Sequence, residues 1–474
     1  MSEKWDAILA ELERRHAAAG AMGGEEKLAK REAAGKGNAR ARMAALFDEG
    51  IYREIGALTG GEAIPADALV AGFGMVDGRP VLAGAEDASV MGGSIGDAGS
   101  DKRYRLTQLA MQERVPLVFM LDGAGHRLTN EHSGRRPNDL QGLAELSGHV
   151  PMVTLVLGPS AGHGALTAPL SDYVVMSENG SMFVAGPPIV KAAIGQDVTK
   201  EELGGPPVHL ATGVAHEVAA DDAGAIALAK HYLSYFTAPL VDAQDGDRRL
   251  ESILDLIDPD PRKPFDAHDL LDELVDADSL FEVRPRYGRA MISALARMEG
   301  RAVAIVANNP AVSAGAIDAD AARKATEFLR IAEAFGLATL FLTDTPGVLP
   351  GTAAEKAGAL RAAAEMFRAQ HALTGPKIHV TLRKAFGFGS SVMAMNPFDN
   401  QTFSIALPAA TLGAMPASAG ADAAKLSEAE RAKAMADQAG GAYAIAEKMG
   451  FDAVIDPRDL RNAILSALRL TGGR

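Results

Sequence analysis

Apolar and polar residues follow two recurring patterns along this chain. Short apolar runs such as VPLVFML, from Val115, and MVTLVL, from Met152, predict buried strands. Segments such as YRLTQLAMQ, from Tyr104, and DAARKATEFLRIAEAF, from Asp320, have helical spacing. Strands that alternate with helices predict a mostly parallel α/β architecture in which helices cover the sheet faces.

The two ends of the chain also have helical patterns. Near the N-terminus, apolar residues at helical spacing predict an amphipathic helix, namely Trp5, Ile8, Leu9 and Leu12. The segment from Pro416 predicts a turn of small residues followed by an exposed, Ala-rich helix. The last apolar-periodic segment, from Ala442, predicts a helix that docks on the preceding domain.

The order of these patterns is repeated. Matching segments start at Ala39 and Ala267, at Asp67 and Tyr287, and at Val115 and Leu337. The glycine turns keep one spacing, because Gly78 with Gly300 and Gly125 with Gly347 are each 222 residues apart. A repeat of this length predicts a duplicated domain. We place the domains at residues 1–241 and 242–474, with the charged segment from Asp242 as the linker.

Composition narrows the function classes. A formal net charge of −14 argues against a nucleic-acid or anionic-membrane surface. The absence of cysteine excludes disulfides, a thiol nucleophile and cysteine-ligated zinc. One uncharged run, Val150 to Leu170, is long enough to span a membrane, but Gly, Pro, Ser and His interrupt it. The first residues lack the apolar core of a signal peptide, so we expect a cytoplasmic protein.

Two glycine-rich turns are candidates for chemistry. In LVLGPSAGHGALTAPL, from Leu155, glycines at 158, 162 and 164 allow backbone amides to face a ligand closely. An apolar helix is predicted after this turn, and its first N–H groups would add further donors. This combination can form an oxyanion hole without a catalytic side chain. The pattern recurs in RKAFGFGSSVM, from Arg383, which favours a function for both turns over packing alone.

Other catalytic patterns are missing from the sequence. It contains no GxSxG elbow, no GxxxxGKS/T phosphate loop and no HExxH pair. The spacings of His126, His163, His209 and His216 match no metal site, so we expect hydrogen-bonded structural histidines and no metal. His163 is the exception of interest, because it lies inside the candidate oxyanion hole. The acidic residues from Asp255 to Asp260 are interpreted as part of a solvated linker.

At this point the chain resembles the carboxyltransferase (β) subunits of biotin-dependent acyl-CoA carboxylases, the propionyl-CoA and acetyl-CoA carboxylase type. The resemblance extends from about Lys36 to the last helix. It depends on DVTKEELGG, His209 and GVAH, DPRKPFD, FEVRPRYGR, DTPGVLPGTAAE and RKAFG. It implies two tandem crotonase-like domains, each a ββα spiral, and assembly as a dimer or as a hexamer that is a trimer of dimers.

The resemblance also implies site residues. The GPCAGGA turn of the family corresponds to GPSAGHG, which places one oxyanion pair at Gly162 and His163. The RKAYGGAYDVM segment corresponds to RKAFGFGSSVM, which places the second pair at Phe388 and Gly389. Further substrate-binding positions fall at Gly123, Ala124, Gly125, Gly347 and Ser391. The chain departs from the family at His163, Phe388, Ser391, Leu407 and Thr411.

The function implied is transfer of CO2 from carboxybiotin to the α-carbon of an acyl-CoA, through an enolate held by backbone amides. The acyl-CoA is assigned to the first domain and biotin to the second. No AMKM biotinylation motif or ATP-binding glycine loop is present, so biotin is expected on a partner α subunit. Three alternatives remain: a biotin-dependent acyl-CoA decarboxylase, a biotin-independent crotonase-type enzyme, and a non-catalytic CoA-binding protein in which Phe388 blocks the pocket.

Overall fold

The computed structural model describes residues 2–127, 138–237 and 246–471. Its internal contacts divide the chain into two compact units, Met1–Thr237 and Ala238–Arg474. The domain boundary predicted after residue 241 lies outside the described residues. The predicted duplicated α/β architecture is confirmed, because each unit has its own sheet and core.

The first unit contains helices and strands in the order α1 Ser2–Gly20, α2 Glu25–Ala33, α3 Ala39–Leu46, β1 Tyr52–Ile55, β2 Leu69–Val76, β3 Arg79–Glu86, α4 Asp97–Glu113, β4 Leu117–Gly123, α5 Asp139–Leu146, β5 Met152–Ala161, β6 Tyr173–Ser177, β7 Ser181–Phe183, α6 Pro187–Ile194, α7 Lys200–Gly204, α8 Pro206–Ala211, β8 Glu217–Ala219 and α9 Asp222–Thr237. Short 3-10 helices connect several of these elements.

The second unit contains α10 Ile253–Leu256, α11 Ala267–Leu274, β9 Phe281–Glu282, β10 Met291–Met298, β11 Arg301–Asn308, α12 Ala319–Ala334, β12 Ala338–Thr345, α13 Thr352–Ala357, α14 Ala359–His371, β13 Lys377–Phe386, α15 Gly387–Val392, β14 Phe403–Ala406, β15 Thr411–Gly413, α16 Ala417–Ala423, α17 Glu428–Ala439, α18 Gly441–Ala446, β16 Ala453–Val454 and α19 Leu460–Leu470.

The two sheets have the same topology. The strand order is β1-β2-β3-β4-β5-β6-β8 in the first and β16-β14-β13-β12-β11-β10-β9 in the second, with β7 on β5 and β15 on β13. Strands β1, β2 and β3 of the first sheet pair in antiparallel fashion, as do β9, β10 and β11 of the second. The remaining pairs of both sheets are parallel. The short strands β7 and β15 pair with the ends of β5 and β13, just before the two glycine-rich turns.

Sequence patterns explain the central elements. All seven residues of β4 and all ten of β13 are buried, as expected for parallel strands covered on both faces. Helix α12 begins where the Asp318 carboxylate accepts a hydrogen bond from Ala321 N. Its buried residues recur at helical spacing, for example Ala325, Phe328 and Leu329, and confirm the predicted helix.

Three local predictions differ from the structure. The segment after the first glycine turn is a six-residue 3-10 helix, Ala165–Leu170, because Pro169 cannot continue an α-helix. The small-residue turn predicted after Pro416 contains a short helix, Ala417–Ala423. The predicted linker belongs to the second unit from residue 246 onward, since Leu250 and Ile253 are buried in its core.

Candidate active site at two glycine turns

The first candidate turn follows β5. Its backbone reverses at Gly162, whose φ of 55° is in the left-handed region that favours glycine. The Gly162 N–H donates to the carbonyl oxygen of Phe183 at 3.0 Å. Among the described residues, no acceptor is found for the N–H groups of His163 and Gly164. Two consecutive amides therefore have hydrogen-bonding capacity for a ligand.

The second candidate turn follows β13 and has the same backbone. Gly387 has a φ of 59° and directly follows the last strand residue, as Gly162 does. Phe388 and Gly389 lie in the first turn of α15, where an amide has no partner within its own helix. The position of the positive-φ glycine makes Phe388 equivalent to His163 and Gly389 equivalent to Gly164. The pairs predicted from sequence, Gly162 with His163 and Phe388 with Gly389, therefore do not lie at equivalent backbone positions. The first-unit equivalent of Phe388 and Gly389 is His163 and Gly164.

A second loop crosses each turn at close range. A methyl group built on Gly125 would lie 2.5 Å from the carbonyl oxygen of Ala161. In the second unit, a methyl group on Gly389 would lie 2.7 Å from Cα of Gly347. The sequence-predicted position Gly125 thus meets the turn that carries His163, and Gly347 meets the turn that carries Gly389. Gly123 pairs with Ser160 of β5, and Ala124 N donates to Gly92 O at 3.0 Å.

The crossing loops are held by matching hydrogen bonds. Ile95 N donates to Gly125 O at 2.8 Å, and Ile317 N donates to Gly347 O at 3.0 Å. The two donors, Ile95 and Ile317, are 222 residues apart, and so are the two acceptors, Gly125 and Gly347, which is the spacing found in the sequence. The strand registers also shift at equivalent places, between Leu121 and Gly123 and between Thr343 and Thr345. The duplication therefore extends to the irregular backbone that forms the turns.

Behind the first turn, buried charged side chains form a connected network. The Nε2 atom of His163 lies 2.5 Å from Oδ1 of Asp139, and Nε of Arg103 lies 2.5 Å from Oδ2 of Asp139. Arg103 also donates to Glu86 at 3.1 Å and to Thr167 at 2.8 Å. Glu86 in turn accepts from the backbone N–H of Asp122 at 2.8 Å.

The carboxyl groups of this network have shifted pKa values. Burial alone would raise the pKa of Asp139, but the Arg103 charge and the His163 contact lower it below its usual value. Burial raises the pKa of Glu86, and the Arg103 charge opposes this effect. Asp139 is therefore an ionised, fixed acceptor for the His163 ring.

The second turn is supported differently. Asn308 stands where the repeat has Glu86, and its side-chain oxygen accepts from Asp344 N at 3.2 Å. Arg383 is fully buried and donates through Nε to Asp344 at 2.8 Å. It also donates to the carbonyl oxygens of Asp258, Asp260 and Lys263. The acidic segment interpreted as a solvated linker is therefore packed over Arg383 through its backbone.

Histidines away from the turns have structural partners. His209 donates through Nε2 to the carbonyl oxygen of Met182 at 2.7 Å. His216 is buried, and its Nδ1 accepts from Val174 N at 3.1 Å. Within the described ranges, no group of three or more His, Asp or Glu residues is arranged to hold a metal ion.

One cavity lies beside each turn. The first, of about 330 Å³, is lined by both turn residues Gly162 and His163 and by mainly apolar side chains, including Leu166, Phe183 and Val184. The second, of about 510 Å³, is lined by Lys384, Phe386 and Thr411 among others. Phe388 does not line this second cavity and is 56% exposed. The side chain that replaces glycine therefore does not fill it.

Three other residues that differ from the family pattern are packed or hydrogen-bonded within the second unit. Leu407 is buried, and Thr411 Oγ1 donates to the carbonyl oxygen of Arg383 at 3.2 Å. Ser391 is half-buried in α15, and its carbonyl oxygen accepts from Asn396 at 3.0 Å.

Sequence reasoning missed the side chains behind the first turn. Asp139 is 24 residues from His163, and Arg103 is 36 residues from Asp139. Only one local signal was available: Asn138 begins a helix with a capping box that places Asp139 in its first turn. That signal predicts a helix start and does not identify the partner of His163.

No helix in the described part of the chain is long and apolar enough to cross a membrane. The run from Val150 to Leu170 instead contains β5 and the 3-10 helix Ala165–Leu170.

Comparison with known proteins gives consistent matches along the chain. Residues 30–472 match the family model described as the carboxyl transferase domain. The methylmalonyl-CoA carboxyltransferase 12S subunit of Propionibacterium freudenreichii subsp. shermanii is 34% identical over 479 residues, covering 95% of this chain and 91% of that protein. The methylmalonyl-CoA decarboxylase subunit alpha of Veillonella parvula is 33% identical over 485 residues, covering 96% and 94%.

A solved structure matches the fold at the same level. The transcarboxylase 12S hexamer, with methylmalonyl-coenzyme A and methylmalonic acid bound, has a TM-score of 0.91 and 33% sequence identity. The match covers 98% of this chain and 95% of that one. The expected pair of tandem crotonase-like domains is confirmed by this match.

Proposed function

This chain belongs to the carboxyl transferase family of biotin-dependent acyl-CoA carboxylases, and we propose how its two units divide the reaction between them. The turn of the first unit binds the acyl thioester, and the turn of the second unit binds the biotin that carries the carboxyl group. One observation carries this proposal: two consecutive amides without a hydrogen-bond acceptor among the described residues recur at the same place in both units. They are His163 with Gly164 and Phe388 with Gly389.

In the first unit, the backbone N–H groups of His163 and Gly164 donate hydrogen bonds to the thioester oxygen. When the α-carbon loses its proton, negative charge moves to that oxygen, and fixed N–H donors stabilise it more strongly than water does. One such donor is worth about 3–4 kcal/mol in transition-state energy in other enzymes. Gly162 contributes the backbone reversal, because its own N–H is already bonded to Phe183.

In the second unit, the amides of Phe388 and Gly389 are suited to a ureido carbonyl, which is a neutral hydrogen-bond acceptor. Carboxybiotin would supply the activated carboxyl group when bound there. The donor set fits such a group, because Phe388 and Gly389 lie in the first turn of α15, where backbone N–H groups have no partner within the helix. A cavity of about 510 Å³ is lined by Phe386, directly before this turn, and the 56% exposed Phe388 side chain does not fill it. Lys384 lies at its edge and is paired with Asp344 at 3.2 Å.

The apolar lining of the first cavity supports an apolar acyl group. Leu166, Phe183 and Val184 offer no hydrogen-bonding side chain to a ligand. A volume of about 330 Å³ is at the lower end of small-ligand cavities, which range over roughly 300–1,000 Å³. A short acyl chain fits this space.

Ser391 is proposed to tune the choice of acyl group. Replacing it by isoleucine should change the relative kcat/KM values for acetyl-, propionyl- and butyryl-CoA by roughly 1–3 kcal/mol, which is the usual effect of added carbon atoms at a position that selects the substrate. The three rates are measured with wild type and the S391I variant. Identical profiles would show that Ser391 does not contact the acyl group.

A partner protein is proposed to carry the biotin, and the chain is proposed to act as a homo-oligomer. Exposed apolar side chains of the first unit support assembly, notably Val184 and the α6 residues Ile189 and Ile194.

The function is tested by carboxyl transfer with the purified full chain. With a carboxybiotinylated carrier as donor, carboxylated acyl-CoA is expected for at least one of acetyl-, propionyl- and butyryl-CoA. With ATP and bicarbonate in place of that donor, no product is expected. Product formation from ATP and bicarbonate by the chain alone, or no transfer from the carrier to any acyl-CoA, would contradict the proposal.

A biotin-dependent acyl-CoA decarboxylase is a second candidate function, because the methylmalonyl-CoA decarboxylase subunit alpha of Veillonella parvula is 33% identical over nearly the whole chain. The same assay separates the two. A decarboxylase releases CO2 from methylmalonyl-CoA in the presence of non-carboxylated carrier and does not give net carboxylation of acyl-CoA.

A further inference from the structure

The side chain of His163 is held in place. Its Nε2 lies 2.5 Å from Oδ1 of the completely buried Asp139, and the ring is only 20% exposed. The backbone amide proposed to bind the thioester oxygen belongs to this same residue. One residue therefore presents two different functional groups at the first turn.

Asp139 determines which nitrogen of His163 carries the proton. Its other oxygen accepts from Nε of Arg103 at 2.5 Å, and the Arg103 guanidinium is itself fixed by Glu86, Thr167 and the face of the Phe119 ring. An ionised carboxylate can only accept hydrogen bonds, so Nε2 of His163 is the donor. In the neutral ring the lone pair then lies on Nδ1.

The remaining nitrogen is open to a ligand. Among the described residues, none forms a hydrogen bond with Nδ1 of His163. His163 is one of the residues that line the apolar cavity of about 330 Å³ beside the turn. A buried carboxylate that orients one imidazole nitrogen and leaves the other without a protein partner is an arrangement found in histidine general bases.

We propose that His163 is a general base that removes the α-proton of an acyl-CoA bound at the first turn, with Asp139 as its positioning residue. The inference rests on the proposed function, because it requires the thioester oxygen to be bound by the His163 and Gly164 amides. It adds a base that belongs to the chain itself. The family pattern has glycine at this position, so the base is a property of this sequence.

The step is balanced without a cofactor. Nδ1 of His163 takes the α-proton, and the electron pair of the C–H bond forms the enolate, whose charge lies on the thioester oxygen. The imidazolium exchanges its Nδ1 proton with solvent. Return of a solvent hydron to the α-carbon restores the thioester and the neutral ring. The isolated chain is therefore expected to exchange α-hydrogens of an acyl-CoA in the absence of biotin.

The experiment measures deuterium incorporation into acetyl-, propionyl- and butyryl-CoA in D2O by mass spectrometry, with the full chain and no biotin carrier. Exchange at least 100-fold above the enzyme-free rate is expected for one of them. General base catalysis contributes about 10²–10⁴-fold, so the H163G variant should lose about that factor in exchange rate. Added imidazole should restore part of the H163G rate by occupying the space of the missing ring.

Matched variants separate chemistry from structure. Asp139→Asn should lower the exchange rate at saturation with little change in KM, and added imidazole should not rescue it, since the ring is still present. His149→Asn is the control, because His149 is exposed and lies at the opposite end of β5. Circular dichroism melting of each variant confirms that it is folded.

Carrier-dependent carboxyl transfer is measured on the same preparations. Active transfer by wild type without α-hydrogen exchange would overturn the inference and leave the proposed function standing. Exchange by H163G at the wild-type rate would also overturn it. A folded wild-type chain that shows neither exchange nor transfer would contradict both proposals.

Discussion

The amide of His163 and the amide of Phe388 occupy the same place in a shared backbone design. In each unit the last strand residue is followed by a positive-φ glycine, Gly162 or Gly387, that turns the next N–H away from the sheet. Any residue can supply that N–H except proline, which has none. This explains how the chain can carry histidine and phenylalanine where the family has glycine.

Substitution of His163 by proline tests the amide separately from the ring. H163P removes both the N–H and the imidazole, whereas H163G removes the imidazole alone. Carrier-dependent turnover should fall by at least about 100-fold more in H163P than in H163G, which is the effect of losing one oxyanion donor. Equal losses in steady-state kcat would show that the amide does not bind the thioester.

A second single residue contributes to the pH dependence of stability. His379 is fully buried in β13, where its ring contacts the carbonyl oxygen of Met393 and the hydroxyl of Thr381. Burial lowers the pKa of His379 from 6.5 to about 4. The unfolded chain therefore binds a proton at a pH where the folded chain does not, and stability falls as pH decreases from about 6.5 to 4.

The H379Q variant removes this contribution. Between pH 7 and pH 5, the unfolding free energy of wild type should decrease by about 2 kcal/mol more than that of H379Q. Urea denaturation at both pH values measures the difference. The exposed His149 provides the control, H149Q, whose pH dependence should equal that of wild type. If the unfolding free energy of H379Q decreases between pH 7 and pH 5 as much as that of wild type, burial does not lower the pKa of His379.

Sequence reasoning reached the glycines of the turns and missed the side chains behind them. Gly162 follows from a local glycine-rich pattern, whereas Gly389 and Gly347 follow from the family resemblance. The engagement of the Gly162 N–H with Phe183 is invisible in sequence, because it depends on how β7 pairs with β5. The Asp139 partner of His163 was missed for the same reason: a contact between distant residues has no periodicity.

At the scale of elements, each turn is fixed by what packs behind its strand. A buried aspartate at the end of the preceding strand, Asp122 or Asp344, binds arginine in both units. In the first unit the arginines come from the N-terminal helices. In the second, Arg383 of β13 binds Asp344 and also holds the 258–263 segment through three carbonyl oxygens.

Arg383 should therefore be essential for the stability of the second unit. R383M leaves Asp344, among the described residues, with Lys384 as its one ionic partner, and it removes the donor from three carbonyl oxygens, so a loss of about 3–5 kcal/mol is expected. R262M is the control, because the Arg262 side chain is 89% exposed and should change stability by less than about 0.5 kcal/mol. Chemical denaturation compares them; equal midpoints would contradict this role for Arg383.

The element-level predictions succeeded where periodicity decides the outcome. Strands β4, β5 and β12 and helices α4 and α12 lie where their apolar patterns predict. The 3-10 helix Ala165–Leu170 was predicted as an α-helix because its apolar residues do not distinguish the two, although Pro169 gave a reason for the shorter form. The acidic run from Asp255 to Asp260 was interpreted as part of a solvated linker because of its charges, but the carbonyl oxygens of Asp258 and Asp260 accept hydrogen bonds from Arg383.

At the scale of the whole molecule, duplication gives two units with one topology and different surroundings at their turns. The first unit has Glu86, Arg103 and Asp139 behind its turn, and the second has the neutral Asn308 at the position of Glu86, with Asp344 paired to Arg383. Under the proposed function, the acyl thioester is placed at the first of these turns and biotin at the second. The two units therefore combine one backbone turn with different side chains behind it.

The surface of the first unit offers a candidate interface for the proposed assembly. Val184 is 94% exposed and Ile194 is 72% exposed, and large apolar side chains with this exposure are typical of protein–protein contacts. Ile194 ends α6 and does not line the cavity beside the first turn, so it can be changed without altering that cavity.

I194D should therefore weaken assembly without unfolding the chain. A buried, unpaired carboxylate at an interface is expected to raise the dissociation constant at least 10-fold, while the free unit loses less than about 0.5 kcal/mol because Ile194 is exposed in it. Analytical ultracentrifugation over a dilution series measures the first quantity and thermal melting the second. Q196D adds the same charge at an exposed polar residue two positions away and should leave assembly within about threefold of wild type. If I194D and wild type sediment identically at every concentration, α6 is not an interface, and its apolar residues need another explanation.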